Sequence, residues 1–533
     1  MEKASLHEIL LHPGIFIILS TIILYVLRNS KTFSILAVVF PIIAAIICSK
    51  QPDLICYNFY DLWQFSFQYN HYNRIACLCI LLCFSCINLS AYKQRHCNYS
   101  IILATLYAGI NIVSMLSVDF STMVYSLEFS SLAAALMIYK KNNECQIETA
   151  YYYLIVHSLS AMLILAGSSI IVNSYGLPII NLAKVIQDFE YNYIAAVVIL
   201  LGLLINIACP MFSYWLVNSY SVSGTIESAY LSITTTINLI WILKLFLGLK
   251  ILIIIGILIT VFGIIYAILE NEIKRSFSYS FISKSGIMLI MIGAYQNNPV
   301  DFYNDIILLC ISYILCQSFF MLMCSWLKDK YQLIFFTDFS SKVVAIDSIL
   351  LISISCVLVI FFAVPFTTIC YANILALNNN NITHFINITI AAQLLYIPWI
   401  LIYKNIKIKF IQAEYINIAE YITVIYFTII NLILYSYTID FTYLLQQLAI
   451  ITAGFIASYI SCPSKISGKI LLPESILYNN IQHLITLYSN KIWQLKLQLP
   501  QILRSSNNLN LSHSLTIGIT IVILLTLIII DIM

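Results

Sequence analysis

Four ionisable side chains lie inside stretches that are otherwise apolar: Glu128, His157, Lys244 and Lys284. A charged group at bilayer depth costs about 2.5–3.5 kcal/mol on insertion scales, so such groups face a protein interior or a water-filled path. The chemistry open to a carboxyl, an imidazole and two amines in that setting is proton or ion transfer. Each also has a plainer reading. Glu128 can be a protonated, hydrogen-bonded carboxyl. Lys244 and Lys284 can reach outward along their alkyl stems. His157 can be a packing histidine. Two prolines, Pro210 and Pro365, fall in the middle of apolar runs. Proline removes a helix hydrogen bond and frees a carbonyl, which is tolerated in lipid only where the backbone is buried in protein or lines a cavity.

The elements that hold these residues follow from composition. Of 533 residues, 61% are hydrophobic and 9% charged, and the mean hydropathy is +0.93. Soluble domains carry about 25% charge, so this is an all-α polytopic membrane protein, expected to be in contact with a lipid bilayer. The net charge of +3 gives no reason to expect nucleic acid. The 15 Cys lie mostly within apolar spans, and Cys83 and Cys86 form a single C-x-x-C inside one of them. They read as small apolar filler. No cleavable signal follows the first apolar run, 14–28. The scarcity of Gly and the excess of Ile, Asn, Lys and Tyr reflect coding bias, not function.

Runs of about 17–25 apolar residues mark spanning helices. They fall near 14–28, 33–49, 75–92, 99–118, 120–139, 150–173, 193–217, 226–247, 250–270, 276–295, 304–327, 345–374, 384–403, 417–437, 441–462 and 513–532, about sixteen in all. With the N-terminus outside, about nineteen Lys and Arg of the loops face in and about five face out. The positive-inside rule then places both termini outside the cell inner (plasma) membrane. Pro210 interrupts the seventh span and Pro365 the twelfth. Their separation by five spans predicts two inverted five-helix repeats with two broken helices. Residues 1–118 are N-terminal helices. Repeat one covers 99–247 and repeat two 250–403. Residues 404–462 are C-terminal helices, 463–512 a cytoplasmic segment with an interfacial helix, and 513–533 the last span.

Four stretches resemble the antiporter-like subunits shared by respiratory complex I, Mrp-type cation/proton antiporters and membrane-bound hydrogenases. They are "VYSLEFSSLAAALMIY" from Val124, "YLIVHSLSAMLILAGSSII" from Tyr153, "ACPMFSYWLVNSYSVSGTIESAYLS" from Ala208 and "NEIKRSFSYSFISKSGIMLI" from Asn271. The likeness covers roughly residues 70–440, and the late segment around "LPESILYNNIQHL" looks most like the D-type subunits of Mrp systems. The resemblance implies that Glu128 is the family's fifth-helix glutamate. It also implies losses. Ile205, beside Asn206, stands where the family has its seventh-helix Lys. Thr234 to Ile240 and Phe361 to Ile369 carry no counterpart of the later relay charges. Ser213 replaces a His and Val217 a Pro. Lys284 stands where relatives have Gln or His.

Three functions remain open on this reading. The chain is a scaffold subunit that kept the fold and lost the relay, a proton-translocating membrane subunit of an NADH:quinone oxidoreductase, or a rewired monovalent cation/proton antiporter subunit. All three imply other integral membrane subunits as partners. No nucleotide loop, haem motif or iron–sulfur Cys pattern is present, so no cofactor is expected in this chain.

Overall fold

The computed structural model describes residues 12–335, apart from 60–62, 92–97, 141–142, 176–192, 271, 295–298 and 333. The helices are α1 (Pro13–Val26), α2 (Phe33–Lys50), α3 (His71–Ser90), α4 (Asn98–Leu116), α5 (Phe120–Ile138), α6 (Glu144–Tyr175), α7 (Tyr193–Asn206), α8 (Tyr214–Val222), α9 (Thr225–Phe246), α10 (Ile251–Leu269), α11 (Ile273–Ala294) and α12 (Pro299–Tyr331). Among the described residues seven, α2 to α6, α9 and α11, are long and apolar enough to cross a membrane. The expected spans from 14–28 to 304–327 each coincide with one of the twelve described helices, except the seventh, which coincides with two, α7 and α8. The break expected at Pro365, the spans from 345–374 onward and the segment 463–512 lie outside the described residues.

One element departs from the all-α expectation. Strands β1 (Leu54–Phe59) and β2 (Trp63–Gln68) pair antiparallel, with Leu54 opposite Gln68 and Phe59 opposite Trp63. They fall between the second and third spans, where the chain alternates aromatic and polar residues. That period of two suits a strand and never produces a long apolar run.

The bundle carries its polar side chains inward. α9 and α11 are enclosed on all sides, yet α9 holds Thr234, Thr235, Thr236 and Asn238 and α11 holds Ser278, Ser280, Ser283 and Lys284. Large apolar residues point outward instead, including Ile22, Val26, Phe129, Ile254 and Leu258. In lipid, apolar surface has no reason to turn inward, so helices associate through small residues and hydrogen bonds. The α10–α11 pair shows this. A Cβ at Gly256 would stand 2.6 Å from the Gly286 carbonyl oxygen, and one at Gly263 would stand 2.5 Å from the Ser283 nitrogen.

Contacts sort the loops into two ends. At one end Lys140 reaches Glu227, the Lys274 ammonium donates to the Ser223 carbonyl, and the Asn98 amide donates to the Arg28 carbonyl. At the other, Asp119 caps α5 and accepts from Ser66 of the hairpin, Arg74 pairs with Asp53, and Lys244 meets the end of α4.

Candidate functional site: a capped break beside a buried polar centre

α7 ends four residues before Pro210. Ala208 adopts a left-handed conformation, φ 62°. The Cys209 N–H donates to the Leu204 carbonyl at 3.2 Å and the Ala208 N–H to the Ile205 carbonyl at 3.0 Å. These two bonds form a Schellman cap. A non-glycine residue there costs roughly 1–2 kcal/mol, and Pro210 then forbids the helix to resume at once. Trp215, in the first turn of α8, folds back and donates its indole N–H to the Ile205 carbonyl at 3.0 Å. The sequence located the break but assigned it to the proline alone.

The last residue of α7, Asn206, donates its amide to Asn238 Oδ1 on α9 at 3.1 Å, and the Asn238 amide donates to the Thr234 carbonyl at 2.8 Å. The Thr234 hydroxyl is hydrogen-bonded to the Tyr107 phenol of α4. His157, on α6, lies against Tyr153 and Trp215, with ring centroids 4.1 and 4.5 Å away. Ser130, His157, Asn206 and Thr234 line a cavity of about 10 Å³ together with apolar neighbours. Every polar group around it is an amide, a hydroxyl or an imidazole.

The four predicted ionisable residues do not converge. His157 alone lines the cavity. Glu128 is half-buried on α5, beside the exposed Tyr125 and Phe129, and takes part in none of the three ion pairs among the described residues. Lys284 is fully buried in α11. Lys244 has a structural occupation: its ammonium donates to the Met115 and Ser117 carbonyls at 2.9 and 3.1 Å and sits 4.4 Å from the Trp241 ring. It therefore satisfies the open carbonyls at the end of α4.

Sequence reasoning missed Glu227. It is 4% exposed in the first turn of α9, accepts from the Ser100 hydroxyl at 2.5 Å and lies 3.8 Å from Lys140. Its position three residues after Gly224, which precedes α9, is the available signal, since an acid there favours the helix N-terminus. Near α11, Arg275 bridges Glu270 at 3.0 Å and the Asn218 side chain at 2.6 Å. Burial holds the Glu272 carboxyl above its usual range, with Arg275 opposing. Among the described residues no group of three or more His, Cys, Asp or Glu could hold a metal ion. Cys83 and Cys86 are buried in α3 and form no disulfide.

The profile of the family described as NADH:quinone oxidoreductase/Mrp antiporter, TM, matches residues 117–397. NADH-ubiquinone oxidoreductase chain 2 of Dictyostelium citrinum is 26% identical over 208 residues, 36% of this chain and 42% of that one. NADH-quinone oxidoreductase subunit N 1 of Aquifex aeolicus is 22% identical over 309 residues, 55% of this chain and 65% of that one. The chain thus spans less than half the length of the first of these relatives and under two thirds of the second. A chain of an archaeal membrane-bound sulfane sulfur reductase superposes with a TM-score of 0.67 at 14% identity, covering 97% of this chain and 99% of its own. A chain of the Mrp complex from Dietzia sp. DQ12-45-1b superposes at 0.64 and 12% identity, covering 85% and 98%. At these identities the superpositions establish the fold.

Proposed function

The chain belongs to the NADH:quinone oxidoreductase/Mrp antiporter membrane family, and on that premise we propose that it is a scaffold subunit of a multi-subunit cation/proton antiporter or complex I-like assembly. It binds neighbouring membrane subunits and does not itself drive ion exchange through its first repeat. One observation carries this reading. At the α7 break Asn206 is bonded to Asn238 where a relay would need a group that gains and loses charge, and His157 is the single titratable side chain lining the cavity beside it. Glu128 is not drawn into that centre. A proton crosses a membrane interior through a series of titratable groups linked by water, and one imidazole among amides and hydroxyls does not make such a series. The fully buried Lys284 favours a second reading, a rewired antiporter whose charge sits in the second repeat.

Reconstitution separates the two. The purified chain in vesicles, under an imposed pH gradient, is expected to show little cation-dependent proton flux. A robust flux that vanishes in Glu128→Gln or Lys284→Ala overturns the scaffold reading and establishes the rewired antiporter. Affinity purification from native membranes should recover other integral membrane subunits. Dehydrogenase subunits among them would place the chain in a quinone oxidoreductase-type assembly.

A further inference from the structure

α1 and α5 both pack against α4 but hardly touch each other. Between them lies a groove of about 470 Å³, whose lining includes Ile18 of α1, Leu106 and Val113 of α4, and Phe129 and Leu136 of α5. No charged side chain lines it. Residues seven apart are nearly two turns apart and share a helix face. One heptad beyond Ile18 on α1 is Tyr25, and one heptad before Leu106 on α4 is Tyr99. Both tyrosines are exposed, and they carry the track of the groove to the end of the bundle where Arg28 lies. The Arg28 guanidinium sits over both rings, 4.8 Å from the centroid of Tyr25 and 5.2 Å from that of Tyr99. None of the three ion pairs among the described residues includes it. Lys31, three residues on, is exposed.

We propose that this track binds one anionic phospholipid, with its phosphate at Arg28 and one acyl chain in the groove. Stacking on tyrosine engages the flat faces of a guanidinium and leaves its in-plane N–H donors, whose fork matches a phosphate. Tyr99 and Val113 are fourteen residues apart on α4, about 21 Å along the helix axis. One leaflet of hydrocarbon is half of a core about 30 Å thick, so the track is long enough for a whole acyl chain. Its volume also discriminates. A helix about 10 Å across, over the same length, would displace roughly three times the volume of the groove, whereas a single chain enters it. A choline headgroup would bring a second cation to the guanidinium and to Lys31. An anionic headgroup meets both with opposite charge.

Photolabelling tests this. The purified full chain is placed in phosphatidylcholine vesicles with a small fraction of phosphatidylglycerol that carries a diazirine in its acyl chain. After illumination, peptide mass spectrometry should find label on Leu106, Val113 and Phe129 several-fold above that on Ile254 and Leu258, which are exposed on α10. Arg28→Gln should lower the groove label several-fold, and Leu136→Trp should do the same by filling the groove, with the α10 label unchanged in both. The same diazirine on a phosphatidylcholine should label the groove several-fold less. Even labelling of groove and α10, groove label that survives Arg28→Gln, or equal labelling by the two headgroups overturns the proposal. If a variant fails to fold, the comparison of headgroups on the wild type decides. A cryo-EM map of the wild type in nanodiscs containing phosphatidylglycerol gives a second measurement. Lipid density with its headgroup at Arg28 is expected, and a protein helix seated in the groove overturns the proposal equally.

Discussion

Ser100 on α4 and Glu227 on α9 are 127 residues apart, and the same offset separates Tyr107 from Thr234, Ser114 from Trp241 and Ser117 from Lys244, each pair joined by a hydrogen bond. Two parallel helices thus meet in constant register along a seam of polar contacts. The first three contacts recur every seven residues, the period of left-handed helix packing. The seam begins at a buried carboxylate and ends at an ammonium. α4 and α9 also flank the buried polar centre, so this register determines where Asn238 stands relative to Asn206.

Glu227→Ala should lower stability by about 1.5–3 kcal/mol, the range for a buried hydrogen bond to a charged group. Lys140→Ala should cost less than about 1 kcal/mol, because that side chain is half exposed and its partner lies 3.8 Å away. Thermal unfolding in detergent measures both. Equal losses would mean that the ion pair, not the Ser100 hydrogen bond, anchors Glu227.

Lys244→Met should destabilise the chain by about 1–3 kcal/mol, since the Met115 and Ser117 carbonyls lose their donor. It should leave ion flux unchanged. Thermal unfolding and vesicle flux measured on the same preparation check the two halves. A selective loss of flux would return Lys244 to the list of relay groups.

Glu272→Gln should raise stability near neutral pH and make no difference in acid. Burial raises the folded-state pKa of this carboxyl. Its protonated form is therefore the one the fold favours. The stabilising contribution is complete below the ordinary carboxylate pKa and is lost as pH rises through the folded value. Melting temperatures of wild type and variant should converge at pH 4 and separate by pH 7.

Gly263→Ala should weaken α10–α11 packing, because its Cβ would stand 2.5 Å from the Ser283 backbone nitrogen. Overpacking of this kind costs about 1–3 kcal/mol. Site-specific proteolysis and melting temperature report it. An unchanged melting temperature would mean that the two helices can separate without loss.

Reporter fusions after Lys141, Lys330 and Lys409 should read cytoplasmic, and one after Pro299 should read external. A cytoplasmic result at Pro299 would show a miscounted span before it.

The spans within the described residues were legible because bilayer thickness dictates the length of an apolar run. Rotation about the helix axis was not. Glu128 and His157 both lie near mid-span, yet packing turns only His157 into the cavity. Lys244 read as a snorkelling side chain, since its partner carbonyls are about 130 residues earlier in the chain. Glu227 passed unnoticed because an acid at a span end is ordinary, and only the fold buries it against Ser100. The hairpin escaped a search built on long apolar windows.

The Schellman cap at Ala208 separates shape from cargo. Its two closing bonds run between backbone groups, so no side chain has to hold the helix open. Residues on either side can then be exchanged for others of different charge without re-forming a continuous rod. A lineage could place a charged or a neutral group beside such a gap and inherit the gap intact. On this logic Ala208→Gly should tighten the break, and Pro210→Ala should leave it in place.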